Sequence, residues 1–196
     1  MDDSGLCGSM VDSESSGRDS RAWLAFRMVL YTVSFLAFIL VVVPYGFDRL
    51  GETAYPRAEN PWLRPGPVQK SFGVLLSVGG LICYLVCSLW LVIVGKGPFV
   101  EFDPPKEFVA TGPYRWMRNP VAAFLIVTVL GEAVFFGSVG IFSLFLLGLP
   151  LAQLQVTRVE EPRLSKRFGE TYIAYCKRVP RWWPKRPRDD QPVPYV

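Results

Sequence analysis

Histidine is absent from the 196 residues. That excludes Ser-His-Asp and Cys-His catalysis and every metal site that relies on imidazole. Cysteine is scarce: Cys7, Cys83, Cys87 and Cys176 form no C-x-x-C pair, so no zinc cluster is expected and no metal is assigned. Cys83 and Cys87 lie inside an apolar run and read as small buried hydrophobes. Charge is also in short supply. Only 19% of the residues are charged, against 51% hydrophobic, and mean hydropathy is +0.27. Soluble domains carry about 25% charged residues. The chain has too little polar surface for water on all sides.

What it has instead is long uncharged runs. Residues 28–47 and 72–94 carry no charge, and each is long enough to cross a hydrocarbon core of about 30 Å. Residues 121–156 hold one charge, Glu132. This stretch is too long for one span and fits two, divided near Phe136-Gly137-Ser138-Val139-Gly140, where two glycines and a serine permit a tight helical hairpin. The expected fold is all-α and integral to the membrane. Four transmembrane helices are expected at 28–47, 72–94, 121–136 and 140–156. The first is too long for a cleaved signal peptide and lacks a small-x-small site after it.

The basic residues set the orientation. With four spans, the N-terminus, the 95–120 loop and the C-terminal segment share one side, and that side holds 17 of the 21 Lys and Arg. The positive-inside rule makes it cytoplasmic, with both termini there. Charges that follow spans in this way serve topology and anionic lipid, and nucleic acid is not expected as a partner. Residues 1–21 are acidic and rich in Ser and Gly, and read as a disordered tail. Residues 22–94 hold the first two spans, 95–186 the functional core, and 187–196 a C-terminal tail.

Two cytoplasmic segments stop behaving like lipid-facing helix. The first ends in Arg118-Asn119-Pro120. Asn is a favoured N-cap and Pro a favoured first helical residue, so the third span begins there with N–H groups suited to a carboxylate or phosphate. An ordinary capped helix is the plain alternative. The second segment opens with Glu160-Glu161-Pro162. Two acids at a membrane exit oppose the negative surface potential. They suit a cationic ligand, or pairing with Arg158 or Arg163. Beyond them Leu164, Phe168, Tyr172, Tyr175 and Val179 recur at helical spacing, which predicts an amphipathic helix over about 163–178. Trp182 and Trp183, among basic residues, read as interfacial anchors. Glu132 lies roughly 20 Å along the helix from Asn119 at 1.5 Å per residue, too far to serve the same site.

Together these segments resemble the integral-membrane methyltransferases that include isoprenylcysteine carboxyl methyltransferase and the phospholipid N-methyltransferases. The stretches that carry the resemblance are 109–115 (Val-Ala-Thr-Gly-Pro-Tyr-Arg), Arg118-Asn119-Pro120 and Glu160-Glu161-Pro162. Phe168-Gly169 with Tyr172 and Tyr175, and Val179-Pro180-Arg181-Trp182, complete it. The resemblance covers about residues 95–186. It implies S-adenosylmethionine as cofactor, held between the last spans and the C-terminal segment. By family position Lys106, Phe108, Val109, Tyr114, Asn119, Pro120, Val121 and Glu160 are cofactor-binding; Gly112 is counted with them, and Glu161 and Arg158 are the catalytic candidates. The prenylcysteine enzymes usually read Arg-His-Pro-x-Tyr where this chain has Asn119 for the His and Ala122 for the Tyr. Their Arg ahead of the acidic pair aligns with Val156. The implied activity is methyl transfer to a lipophilic acceptor through a carboxylate, thiol or amine. A non-catalytic membrane scaffold, a small-thiol S-methyltransferase and a sterol-reductase relative are the alternatives.

Overall fold

The computed structural model describes residues 26, 29–60, 63–95 and 108–186. The expectations for Lys106 and for the 1–21 and 187–196 tails lie outside these residues. The chain divides into two compact units, Met1–Val42 and Val43–Val196. The described part of the first unit is helical and passes into a π-helical turn at Phe38–Val42.

The second unit contains five α-helices: α1 (Val43–Ala54), α2 (Pro67–Gly95), α3 (Pro120–Phe136), α4 (Val139–Gln155) and α5 (Glu161–Arg178). No strand occurs among the described residues. Among the described residues three helical runs are long and apolar enough to cross a membrane: Val29–Ala54, Pro67–Gly95 and Val139–Arg178; α3 is a shorter apolar helix. This is the expected all-α membrane fold, with two refinements. The first helical run continues to Ala54, past the uncharged stretch. The last span does not stop at its apolar end: a π-helical turn, Val156–Glu160, carries α4 into α5.

Pairing between helices follows the small residues. In lipid there is no hydrophobic gain from joining two apolar faces, so close backbone approach decides which faces meet. On α2, a Cβ at Gly73 would collide with the backbone of Phe135, and one at Gly80 with Thr128; on α3, one at Gly131 would collide with Ser77. α2 and α3 therefore run close along their length. At the α1–α4 crossing, a Cβ at Gly140 would collide with the Phe47 carbonyl, and one at Gly51 with the Gly140 backbone. The outward faces keep Leu, Val, Ile and Phe exposed, as a lipid-facing surface requires.

The hairpin between α3 and α4 forms where the glycines predict it. Gly137 takes a left-handed conformation at φ 59°, which ends α3. Ser138 then caps α4, its hydroxyl accepting from the Ile141 N–H at 3.2 Å. Arg57 closes this end of the bundle. Its guanidinium donates to the Phe136 carbonyl at the C-terminus of α3, where a cation is favoured, and also pairs with Asp48 and Glu52.

Candidate functional site

At the opposite end of α3, three segments that are distant in sequence converge. The first is 108–119, the second the junction of α4 and α5, the third 179–186.

Local chemistry shapes the first segment. Gly112 sits at φ +57°, and the Trp90 ring lies where a Cβ would be. Any other residue there would be both strained and obstructed. The Trp90 indole N–H donates to the Thr111 hydroxyl at 3.2 Å, fixing the turn to the end of α2. A 3₁₀ turn, Gly112–Arg115, follows and buries Tyr114.

The helical stripe predicted on α5 is the face that packs. Tyr172, Tyr175 and Val179 are buried with Ala110, and Phe108, Leu164, Phe168 and Cys176 surround them. The Phe108 ring meets Tyr175 and Tyr172 edge-on at 5.2 and 5.9 Å, and Phe168 at a tilt at 5.3 Å. The Tyr175 hydroxyl donates to the Tyr114 carbonyl at 2.7 Å. Gly169, at φ 54°, breaks the helical geometry within α5, and a left-handed residue is cheapest as glycine.

The 179–186 segment then lies along the 116–119 stretch. The Arg118 N–H donates to the Pro180 carbonyl (2.9 Å), the Asn119 N–H to Arg181 (3.2 Å) and the Lys185 N–H to Trp116 (3.0 Å). Side chains lock the same arrangement. Arg181 forks onto both oxygens of Glu161, at 2.8 and 2.9 Å, and Arg118 donates to Glu161 Oε1 at 2.8 Å. Arg118 and Glu161 are mostly buried, at 13% and 19% side-chain exposure. The bond to Glu161 raises the Arg181 pKa further above its ordinary value. Arg118 also reaches the Cys176 sulfur at 2.9 Å.

Several sequence expectations change in this light. Glu161 was expected to pair with Arg158 or Arg163, or to face the acceptor. Its partners here are Arg118 and Arg181, which chain folding brings from 43 and 20 residues away. Arg158 is exposed on the π-helical turn. Asn119 was expected to cap α3 with its side chain. It makes no side-chain cap, because its amide donates to the Arg181 carbonyl at 3.4 Å instead. Pro120 does stand at the first turn, fully buried. Trp182 is a fastener: its indole N–H donates to Gln153 Oε1 at 2.7 Å, holding the C-terminal segment against α4. Trp183 is 82% exposed.

The cofactor candidates are therefore distributed. Phe108 and Val109 belong to the packed wall beneath α5. Gly112 shapes the turn. Tyr114 and Pro120 are buried near the start of α3, and Asn119 and Val121 are half-buried there. Glu160 stands exposed at the start of α5, near enough for its charge to act on Tyr114. Burial is the main reason the Tyr114 phenol is pushed far above its ordinary pKa, with Cys87, Tyr175 and Glu160 adding to it. Tyr114 is thus neutral at physiological pH, a ring and a hydroxyl rather than a base. Arg118 Nε is buried and donates to nothing among the described residues. It is an orphan donor beside the N–H groups that open α3. Glu132 lies twelve residues beyond Pro120, about 18 Å along the helix, and takes no part.

Sequence reasoning missed Arg181 as the partner of Glu161, Trp90 as the support of the turn, and Gln153 as the anchor of Trp182. Arg118 and Arg181 both stood inside the motifs that carried the resemblance, yet nothing in their spacing said that one carboxylate would join them. Among the described residues no group of three or more His, Cys, Asp or Glu is placed to hold a metal ion.

Comparison with known proteins places this geometry in context. Residues 68–171 match the phospholipid methyltransferase family. The chain is 28% identical over 113 residues to the nickel-cobalt-cadmium resistance protein NccN of Alcaligenes xylosoxydans xylosoxydans, an alignment covering 57% of this chain and 50% of that protein. The chain thus spans about half the length of this curated relative. No solved structure matches it.

Proposed function

Since the chain belongs to the phospholipid methyltransferase family, we propose that it transfers a methyl group from S-adenosylmethionine to a lipophilic acceptor at the cytoplasmic face of its membrane. The observation that carries this reading is the start of α3: a helix N-terminus without a side-chain cap, beside a buried arginine donor with no partner among the described residues.

The residues fit the cofactor. Its amino-acid carboxylate suits Arg118 Nε and the first N–H groups of α3, since a helix N-terminus favours an anion. Its amine or ribose hydroxyls suit Glu160. When bound, S-adenosylmethionine supplies an electrophilic methyl group on a sulfonium cation. What the chain supplies is placement. Holding donor and acceptor in line in a site closed to water accounts for about 7–11 kcal/mol of a typical bimolecular barrier.

Glu161 has a positioning role in this reading. With both oxygens held by guanidinium groups, it fixes the start of α5, the start of α3 and the C-terminal segment as one frame. Proton removal from an ammonium or thiol acceptor then falls to Glu160 or water, with Tyr114 kept neutral. A carboxylate acceptor needs no base. Lipophilicity of the acceptor follows from access. The site lies at the mouth of membrane-spanning helices, and a substrate partitioned into the bilayer reaches it without leaving lipid. The cytoplasmic placement is supported by the 17 of 21 basic residues on that side.

Equilibrium binding of S-adenosylmethionine to detergent-purified protein tests the reading. Saturable binding is expected, weakened by Glu160→Gln and by Asn119→Leu. Labelled methyl transfer into a lipid extract should follow. Well-folded protein that neither binds the cofactor nor yields S-adenosylhomocysteine with any extract would leave a scaffold as the better account. Transfer to a soluble thiol in preference to lipid would replace the acceptor class.

A further inference from the structure

Outside the packed wall of α5, the same end of the bundle carries an apolar groove of about 260 Å³ lined by Pro113, Trp116, Met117, Pro120, Phe124 and Pro184. It shares only Pro120 with the cofactor candidates. We propose that this groove binds one acyl chain of an anionic phospholipid, with the phosphate held by Lys185 and Arg186.

Shape supports a chain rather than a compact ligand. Pro120 and Phe124 are four residues apart and share one face of α3. The groove therefore begins at the loop and follows the span axis inward for about 6 Å, the direction in which lipid tails run. Its volume falls below the 300–1,000 Å³ usual for pockets that enclose a small molecule. It accommodates a segment of a chain whose remainder stays in the bilayer. The lining side chains are all apolar, so no polar headgroup is expected inside.

Charge at the rim identifies the head. Lys185 and Arg186 directly follow Pro184 of the lining, Arg115 directly precedes Trp116, and all three cations are exposed. No Asp or Glu occurs in 108–131 or 179–186, and of the two acids that open α5, Glu161 is taken up by Arg118 and Arg181. Lys185 is held in place by its N–H bond to the Trp116 carbonyl at 3.0 Å. The headgroup site therefore exists only while the C-terminal segment lies along the 116–119 stretch. A lipid bound there favours that closed arrangement, because a ligand that binds one state stabilises it. The inference does not depend on the methyl-transfer reading, and its readout requires no turnover.

The test uses the full chain in nanodiscs with trace phosphatidylglycerol or phosphatidylcholine carrying a photoactivatable group in the acyl chain. Labelled peptides are mapped by mass spectrometry. Labelling is expected at Met117 and Phe124, and stronger for phosphatidylglycerol. Lys185→Gln with Arg186→Gln should remove that preference, at about fivefold for each cation lost. Lys166→Gln with Lys177→Gln, which removes equal charge from the exposed face of α5, should leave it intact. Equal labelling by both headgroups would overturn the anionic assignment. Labelling spread evenly over the lipid-facing residues of α2 would overturn the groove. Loss of preference in the α5 control pair would reduce the effect to diffuse attraction and sink the site.

Discussion

At the end of the bundle where α1 gives way to α2, one arginine holds two carboxylates; at the other end, one carboxylate holds two arginines. The chemistry is the same and the construction is opposite. Arg57, Asp48 and Glu52 lie within nine residues of one another. The loop that brings them together is short, and their side chains are 22–36% exposed. Arg118, Glu161 and Arg181 come from three segments up to 63 residues apart in sequence, and the central pair, Arg118 and Glu161, is more deeply buried, at 13% and 19% side-chain exposure. The first cluster trims a helix end and a loop. The second fixes which parts of the chain face one another. Ion pairs exposed to solvent contribute little, whereas a buried charge stripped of its partner is costly. The two ends should therefore respond differently to the same kind of change.

The largest effect is expected from Glu161→Gln. It leaves two guanidinium groups facing each other in a mostly buried place, and should lower stability by about 3 kcal/mol. Chemical unfolding in detergent measures it, and S-adenosylmethionine binding should weaken in parallel. Next comes Gly140→Ala, which sets a methyl group against the Phe47 carbonyl at the other end. An overpacked site of this kind costs about 1–3 kcal/mol. That result would show that backbone contact, rather than charge, holds the α1–α4 crossing. Trp182→Phe keeps the ring and loses the bond to Gln153. It should cost about 1 kcal/mol and increase protease cleavage after residue 181. The smallest effect is expected from Arg57→Gln, below about 1 kcal/mol and further reduced by salt. A loss at Arg57 as large as at Glu161 would erase the contrast between the two ends.

The same contrast explains what the sequence disclosed. Spans, hairpin and the stripe on α5 were legible because each is a local pattern: an uncharged run, a pair of glycines, a spacing of three and four. The start of α3 at Pro120 and the glycine-bearing turn at 136–140 followed from backbone chemistry alone. The Glu161 frame was not legible in the same way. Any of several arginines near the membrane exit could have met that carboxylate, and the selection of Arg118 and Arg181 depends on how the C-terminal segment folds back. Asn119 shows the limit from the other side. Its side chain had a strong local preference for capping, and a tertiary partner, the Arg181 carbonyl, took it instead. Trp182 likewise had the composition of an interfacial residue and became a fastener because Gln153 lies opposite it.

The run from Val139 to Arg178 spans 40 residues. It is helical except where Gly169 bends it, with a contour of about 60 Å at 1.5 Å per residue, roughly twice the thickness of a hydrocarbon core. Its outer half therefore rides on its inner half as an arm rides on a shaft. A span that meets a thicker or thinner bilayer adjusts its tilt, and here any such tilt would swing the helix that carries Glu160, Glu161 and the aromatic wall. One piece of backbone thus joins the part that lies in lipid to the part that carries the site.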